Sequence, residues 1–124
     1  MDKLELFGKE LMKKVRDASI KEYLSIQSGE MKSAEAKEIY DLITSFSTSD
    51  MEKIDKIIFD IIDRVLHKFL WMLEGSTDFG IADKAVIDPG ENLAMISDGL
   101  TGELYGEFGW ILKYSNYPDV GGGK

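Results

Sequence analysis

The first 75 residues place apolar side chains at the spacing of an α-helix. Near the N-terminus they recur every three or four positions, which puts one apolar stripe on a first helix. These positions are Leu4, Phe7, Leu11, Val15 and Ala18. Basic residues accumulate toward the expected end of this helix, where cations interact favourably with the helix dipole. They are Lys13, Lys14 and Arg16.

Residues with capping chemistry divide this half of the chain further. Asp17 and the two residues after it predict the N-cap of a second, short helix, because a side-chain oxygen can accept a hydrogen bond from a free amide at a helix start. Ser28 and Gly29 predict the end of that helix. Ser33 predicts the N-cap of a third helix.

The strongest helical pattern lies between Ser49 and Gly75. Ser49 and Glu52 have the spacing of a capping box, and Gly75 is the expected C-terminal stop. Between them the apolar residues cover more than half of the helix circumference, whereas an ordinary surface helix buries a narrower stripe. They are Ile54, Ile57, Ile58, Ile61, Ile62, Val65, Leu66, Phe69, Leu70, Met72 and Leu73. We therefore predict a central fourth helix that is contacted from two sides.

The pattern changes after Gly75, where short β-favouring runs alternate with glycine-containing turns. The runs are 85–87, 93–96, 102–105 and 110–114. Turn residues at 106–109 predict a hairpin between the last two runs. The expected fold class is α+β, with about four N-terminal helices followed by a small antiparallel C-terminal β-sheet. We expect a single domain over 1–120, helical over 1–75 and β-rich over 80–117, with a flexible tail at 121–124.

Composition excludes several classes of protein. A chain of 124 residues fits one domain. It contains no cysteine, which rules out disulfide scaffolds, thiolate zinc sites and thiol nucleophiles. A net charge of -8 disfavours nucleic-acid binding. No phosphate-binding glycine motif is present, so no cofactor is expected. Charged residues interrupt the most apolar stretch, and the N-terminus lacks a signal peptide, so we expect a cytoplasmic protein that does not bind membranes.

Most of the excess acid lies in the second part of the chain. Residues 71–124 hold nine acids and three bases, and no base occurs between Lys84 and Lys113. Aromatic residues are interleaved with these acids, and an acidic surface with exposed aromatics can attract and anchor a basic protein. The candidate partner-binding residues are Asp98, Glu103, Tyr105, Glu107, Phe108 and Trp110. The alternative is that the acids maintain solubility while the aromatics pack into the sheet.

One group of side chains could support metal chemistry. Asp60, Asp63 and His67 share the polar face of the fourth helix, and carboxylates and imidazole are metal ligands. A small metal-dependent hydrolase is therefore one alternative. A solvated face with a helix-stabilising Asp–His pair explains the same spacing without a metal. Trp71, at the edge of this face, is either packed on a neighbouring element or an anchor for a partner.

Two segments carry a resemblance to known proteins. Residues 61–74 (IIDRVLHKFLWMLE) and 97–105 (SDGLTGELY), together with Gly109-Trp110-Ile111, resemble a group of small acidic uncharacterised bacterial proteins. Some of that group are similar to immunity proteins of polymorphic toxin systems. The resemblance implies a bacterial cytoplasmic protein that neutralises a toxin domain, and it transfers no catalytic motif.

The leading hypothesis is thus a protein-binding module, an immunity-type protein whose acidic C-terminal region binds a basic toxin domain such as a nuclease. The metal-dependent hydrolase is the second. A third is a structural or oligomeric subunit without catalysis, in which the wide apolar arc of the fourth helix mediates self-association. The monomer and the homodimer both remain open at this point.

Overall fold

The computed structural model describes residues 2–82, 97 and 99–120. In chain order its elements are α1 (Lys3–Leu11), a π-helical segment (Met12–Asp17), α2 (Ala18–Gln27), α3 (Ala34–Ile43), α4 (Thr48–Gly75), a 3₁₀ turn (Leu100–Leu104) and α5 (Trp110–Tyr114). None of the helices within the described ranges has the length and apolar character needed to cross a membrane.

α1, the π-helical segment and α2 follow one another without a break. Asp2 caps α1 by accepting a hydrogen bond from the Glu5 amide at 2.8 Å. The predicted N-cap at Asp17 is wrong, because Asp17 has helical backbone angles and makes no capping bond. The π-helical segment takes the place of the predicted break. Its wider turn brings Arg16 and Asp17, two consecutive charged residues, into the protein interior.

The limits of the next helices follow local capping chemistry. α2 ends just before Ser28, and Gly29 adopts a positive φ of 81°, as the sequence predicts. Ser33 caps α3 as predicted, by accepting a bond from the Ala36 amide. α4 ends at Gly75 as predicted, but Ser47 rather than Ser49 is its N-cap, through a bond from the Asp50 amide at 3.1 Å.

The predicted α+β fold class is wrong, because the described part of the chain is helical and contains no strand. The 102–105 run lies mostly in the 3₁₀ turn, and the 110–114 run is α5. The turn at 106–109 exists, with a bond from the Gly109 amide to the Gly106 carbonyl, but it joins these two helical elements instead of two strands. The runs at 85–87 and 93–96 and the tail at 121–124 lie outside the described residues.

The core forms where α1, α4, the 3₁₀ turn and α5 meet. α1 and the residue that follows it supply Leu4, Leu11 and Met12, and the C-terminal elements add Leu100, Leu104, Trp110 and Ile111. From α4 come Leu66, Leu70 and Leu73. The C-terminal elements that the sequence assigned to a separate sheet are therefore part of the same core as the N-terminal helix.

α4 is buried along one face only, which differs from the predicted two-sided burial. Leu66, Leu70 and Leu73 are at most 6% exposed. The opposite face carries an outer row of apolar residues that are 43–62% exposed. The outer row consists of Ile57, Ile61, Val65, Phe69 and Met72.

A buried arginine joins three parts of the fold. Arg16, from the π-helical segment, is fully buried and forms a two-pronged ion pair with Asp63 of α4, with Nε to Oδ1 at 2.7 Å and Nη2 to Oδ2 at 3.3 Å. Its other bonds go to the segment after α5, to the Ser115 hydroxyl and the Tyr117 and Val120 carbonyls, each at 2.7 Å. These five bonds match the five N–H donors of a guanidinium group.

The neighbouring Asp17 holds the same C-terminal segment. Its carboxylate accepts bonds from the Ser115 hydroxyl at 2.5 Å and from the Asn116 amide at 2.9 Å. Lys13 lies 3.8 Å from this carboxylate and donates a bond to the Asn116 side chain. The π-helical segment therefore binds residues 115–120 through hydrogen bonds of two adjacent, oppositely charged side chains, Arg16 and Asp17.

Replacing Arg16 tests how far the fold depends on this pair. Arg16→Met keeps the length of the side chain but leaves the buried Asp63 carboxylate without its partner, so we expect a loss of about 3–5 kcal/mol in the free energy of unfolding, measured with urea. The double variant Arg16→Met, Asp63→Leu removes both charges and should cost less than the single one. Arg64→Ala, which breaks an exposed ion pair with Asp60, is the control and should match the wild type. If Arg16→Met were as stable as the wild type, the fold would not depend on the ion pair of Arg16 and Asp63.

Gly8 is a second position where the fold allows little change. A Cβ atom there would overlap the indole ring of Trp110, which explains a glycine inside α1 despite its low helix propensity. Gly8→Ala should therefore lower the free energy of unfolding by about 1–3 kcal/mol. Gly75→Ala meets no atom within 4 Å and is the control. Urea unfolding of both variants should show a large decrease in the free energy of unfolding for Gly8→Ala and not for Gly75→Ala.

Candidate functional site

The predicted partner-binding residues do not share one exposed surface. Trp110 is fully buried, and Tyr105 is half-buried against α4. Glu103 is half-buried and accepts a bond from the Ser97 hydroxyl at 2.8 Å. Asp98 lies outside the described residues. Of the predicted residues that the structure describes, Glu107 and Phe108 alone are exposed.

Trp110, which is itself buried, belongs to a partly exposed cluster around Glu5. The indole Nε1 donates a bond to Glu5 Oε2 at 2.7 Å, and the ring packs edge-to-face on Phe7 with centroids 5.8 Å apart. Glu5 Oε1 accepts bonds from the Lys113 ammonium and from the Tyr114 hydroxyl. The cluster joins the first turn of α1 to α5, so Trp110 serves folding and is not available to a partner.

Glu107 and Phe108 lie in a turn whose neighbours along the chain are buried. Leu104 on one side and Trp110 on the other are both fully buried. Gly109 is buried beneath the turn, where a Cβ would overlap the Tyr105 carbonyl. Phe108 is 80% exposed. This turn thus presents an aromatic ring to solvent, next to a carboxylate.

The three candidate metal ligands on α4 already have protein partners. Asp63 is buried and paired with Arg16, and Asp60 accepts a bond from Arg64 at 2.6 Å. His67 Nδ1 lies 3.3 Å from the Tyr105 hydroxyl. Among the described residues, no three histidine or acidic side chains are grouped so that they could hold a metal ion.

These residues nevertheless line a common cavity of about 350 Å³. Its lining consists of Asp60, Asp63, Arg64, His67, Lys68 and Tyr105. Burial, and next the negative charge of Asp63, raise the pKa of Tyr105, so its hydroxyl stays protonated at neutral pH. Among the described residues, the lining of this cavity includes no serine or threonine hydroxyl that could act as a nucleophile.

A second cavity, of about 390 Å³, lies between α3 and the start of α4. Asp55 in its lining accepts bonds from the Tyr23 hydroxyl and the Gln27 amide, each at 2.6 Å. Burial, followed by the bond to Asp55, raises the pKa of Tyr23. These contacts join α2 to α4, so two polar side chains of the lining, Gln27 and Asp55, are bonded to each other between the helices.

The sequence analysis missed two features. One is the buried pair of Arg16 and Asp63, which residue spacing could not reveal because the two positions lie 47 residues apart. The other is the exposure of the outer row of α4, a helix predicted to be contacted from two sides; of the three hypotheses, only self-association through its wide apolar arc uses such a face. Trp71, for which two interpretations were open, is 64% exposed, with the Lys68 ammonium 6.0 Å from its ring centre.

Comparisons with known proteins give no further guide. No protein-family model, no curated protein and no solved structure matches this chain. The resemblance to immunity proteins therefore stays a prediction.

The Glu5 cluster predicts how stability depends on pH. Burial alone would raise the pKa of Glu5, but hydrogen bonds from Lys113, Trp110 and Tyr114 outweigh it and hold this pKa below its ordinary value of 4.5. The ionised carboxylate therefore stabilises the fold fully above pH 4.5, and the stabilisation is lost as the pH falls through the lowered pKa.

Glu5→Gln should accordingly be less stable at neutral pH and lose less stability below pH 4.5 than the wild type. Urea midpoints measured across the acid range check this. Glu22→Gln, an exposed acid on α2 with the same charge change, should keep the acid dependence of the wild type. If Glu5→Gln also kept the acid dependence of the wild type, the Glu5 cluster would not be the cause of that dependence.

Proposed function

We propose that this chain is a non-catalytic protein-binding module that binds a basic protein through the turn at 106–109. The observation that carries the proposal is the 80% exposure of Phe108 beside Glu107, on a turn that lies between the fully buried Leu104 and Trp110. A protein of net charge -8 attracts basic partners over long distances, and an exposed aromatic ring can then anchor them.

The chemistry of this turn suits an arginine side chain of the partner. A guanidinium group stacks on an aromatic face and at the same time forms an ion pair with a carboxylate. Phe108 and the adjacent Glu107 offer these two groups. Because Leu104 and Trp110 hold the turn in place, binding would require little ordering of the backbone, which lowers its entropic cost.

The resemblance to immunity proteins suggests which basic protein is bound. A nuclease toxin carries a basic site for phosphates, and an acidic protein that occupies this site would block it. We therefore propose a toxin domain as the partner, with the acidic turn in the place of the nucleic-acid backbone. The proposal needs no catalytic residue in this chain.

The test is binding to the purified basic protein encoded beside the gene for this chain, measured by calorimetry. Phe108→Ala and Glu107→Lys should each weaken the affinity by about tenfold or more, which corresponds to about 1.4 kcal/mol. Raising the salt concentration should weaken it further, since opposite charges attract less when screened.

Glu22→Lys is the matched control, because it makes the same charge change at an exposed site on α2. It should reduce the affinity much less than Glu107→Lys does. Equal effects of the two substitutions would mean that only net charge matters, and unchanged binding by Phe108→Ala would exclude the turn as the anchor.

A further inference from the structure

The outer row of α4 is an apolar feature that remains exposed in the described part of the structure. Ile57, Ile61, Val65 and Phe69 are spaced by four residues, and Met72 extends the row over about 22 Å of helix. Single exposed apolar residues are normal on protein surfaces, but a continuous row marks a contact surface. From this row we infer that the protein forms a homodimer in which α4 packs against α4 of a second copy.

The area of the row fits a second helix. The five side chains are about half exposed, so together they offer on the order of 500 Å² of apolar surface. A standard interface buries about 800 Å² on each partner, and about 60% of it is apolar. The row therefore supplies the apolar share of one side of such an interface.

The size of the side chains along the row favours a symmetric, antiparallel arrangement. A two-fold axis at Val65 brings Ile61 of each copy opposite Phe69 of the other, so a β-branched side chain meets a large aromatic one. Val65, the smallest member of the row, then faces its own copy where the helices approach most closely. Rows spaced by four residues pack into each other at crossing angles near -50°, and the contact uses the same surface on both copies.

The charge on α4 also favours a second copy. Two molecules of net charge -8 repel each other, and the repulsion is smallest where the contact surface itself is neutral. The carboxylates of Asp55 and Asp63 are bonded to other helices. The remaining charges of α4 balance, with four acids and four bases. They are Asp50, Glu52, Asp60 and Glu74 with Lys53, Lys56, Arg64 and Lys68.

This inference does not depend on the proposed function, since it uses a different surface. Salt separates the two, because screening should strengthen association of two like-charged copies and weaken binding of a basic partner. Sedimentation of the full chain at about 100 µM should show a dimer, and more of it at higher salt. A monomer under these conditions overturns the proposal.

Charge at the two-fold axis gives the sharpest test. Val65→Lys places two ammonium groups face to face and should give a monomer, while Val65→Glu does the same with carboxylates. An equimolar mixture of the two variants should restore the dimer. Because Val65 is 62% exposed, both variants should retain the helical circular dichroism of the wild type. Leu42→Lys, at a 68% exposed position on α3, is the control and should remain dimeric. A dimer that persists in folded Val65→Lys overturns the proposal.

Crosslinking tests the arrangement directly, because the natural chain contains no cysteine. Val65→Cys should form a disulfide-linked dimer on mild oxidation, well ahead of Leu42→Cys. Ile61→Cys mixed with Phe69→Cys should form the mixed dimer in preference to either self-linked product. Equal crosslinking at positions 65 and 42, or self-linked Ile61→Cys as the main product, contradicts the antiparallel pairing.

Discussion

The ion pair of Arg16 and Asp63 is the interaction on which the rest of the fold depends. A guanidinium group without water is stable only when its donors are paired, and here the partners come from α4 and from the segment after α5. Arg16 therefore requires both elements to be in place at once. The same bonds fix residues 115–120 and the face of α4 that turns inward.

The π-helical segment makes this arrangement possible. In a regular α-helix two consecutive residues point about 100° apart, and the wider turn of a π-helix brings their directions closer together. The wider turn of Met12–Asp17 buries both, at 0% and 5% exposure. One side chain then supplies donors and the other supplies acceptors for the same C-terminal segment. A local irregularity of this kind depends on tertiary contacts and leaves no periodic signal in the sequence.

The helical half was predictable because its signals are local. Ser33, Gly29 and Gly75 mark helix limits by their own backbone chemistry, and the period of α4 is unbroken over many turns. The C-terminal half was not predictable, because short runs of β-branched and aromatic residues between glycines fit strands and short helices equally. Trp110 decides between them through its contact with Gly8, which lies 102 positions earlier.

In the candidate site, too, local features could be predicted from the sequence and contacts between distant residues could not. Composition correctly marked residues 98–110 as acidic and aromatic, but burial decides which side chains a partner could touch. The burial of Trp110 involves a distant residue, because the indole donates a hydrogen bond to the Glu5 carboxylate. Phe108, in the turn before Trp110, is exposed. Arg16, which follows two lysines, was interpreted as a cation at a helix end. Nothing in its neighbourhood along the chain indicates the distant Asp63.

α4 carries apolar residues on more than the face that it buries. Its inner face carries a charged residue, Asp63, among leucines, while the outer row is entirely apolar. A helix that packs on one side only gains from polar residues on the other side, because exposed apolar surface promotes association. Asp63 is tolerated inside because Arg16 pairs with it, so the ion pair explains the inner face. It does not explain the outer row, whose apolar side chains contribute little to this fold. The second copy that we propose on that side would give them the role that Leu66, Leu70 and Leu73 have in the core.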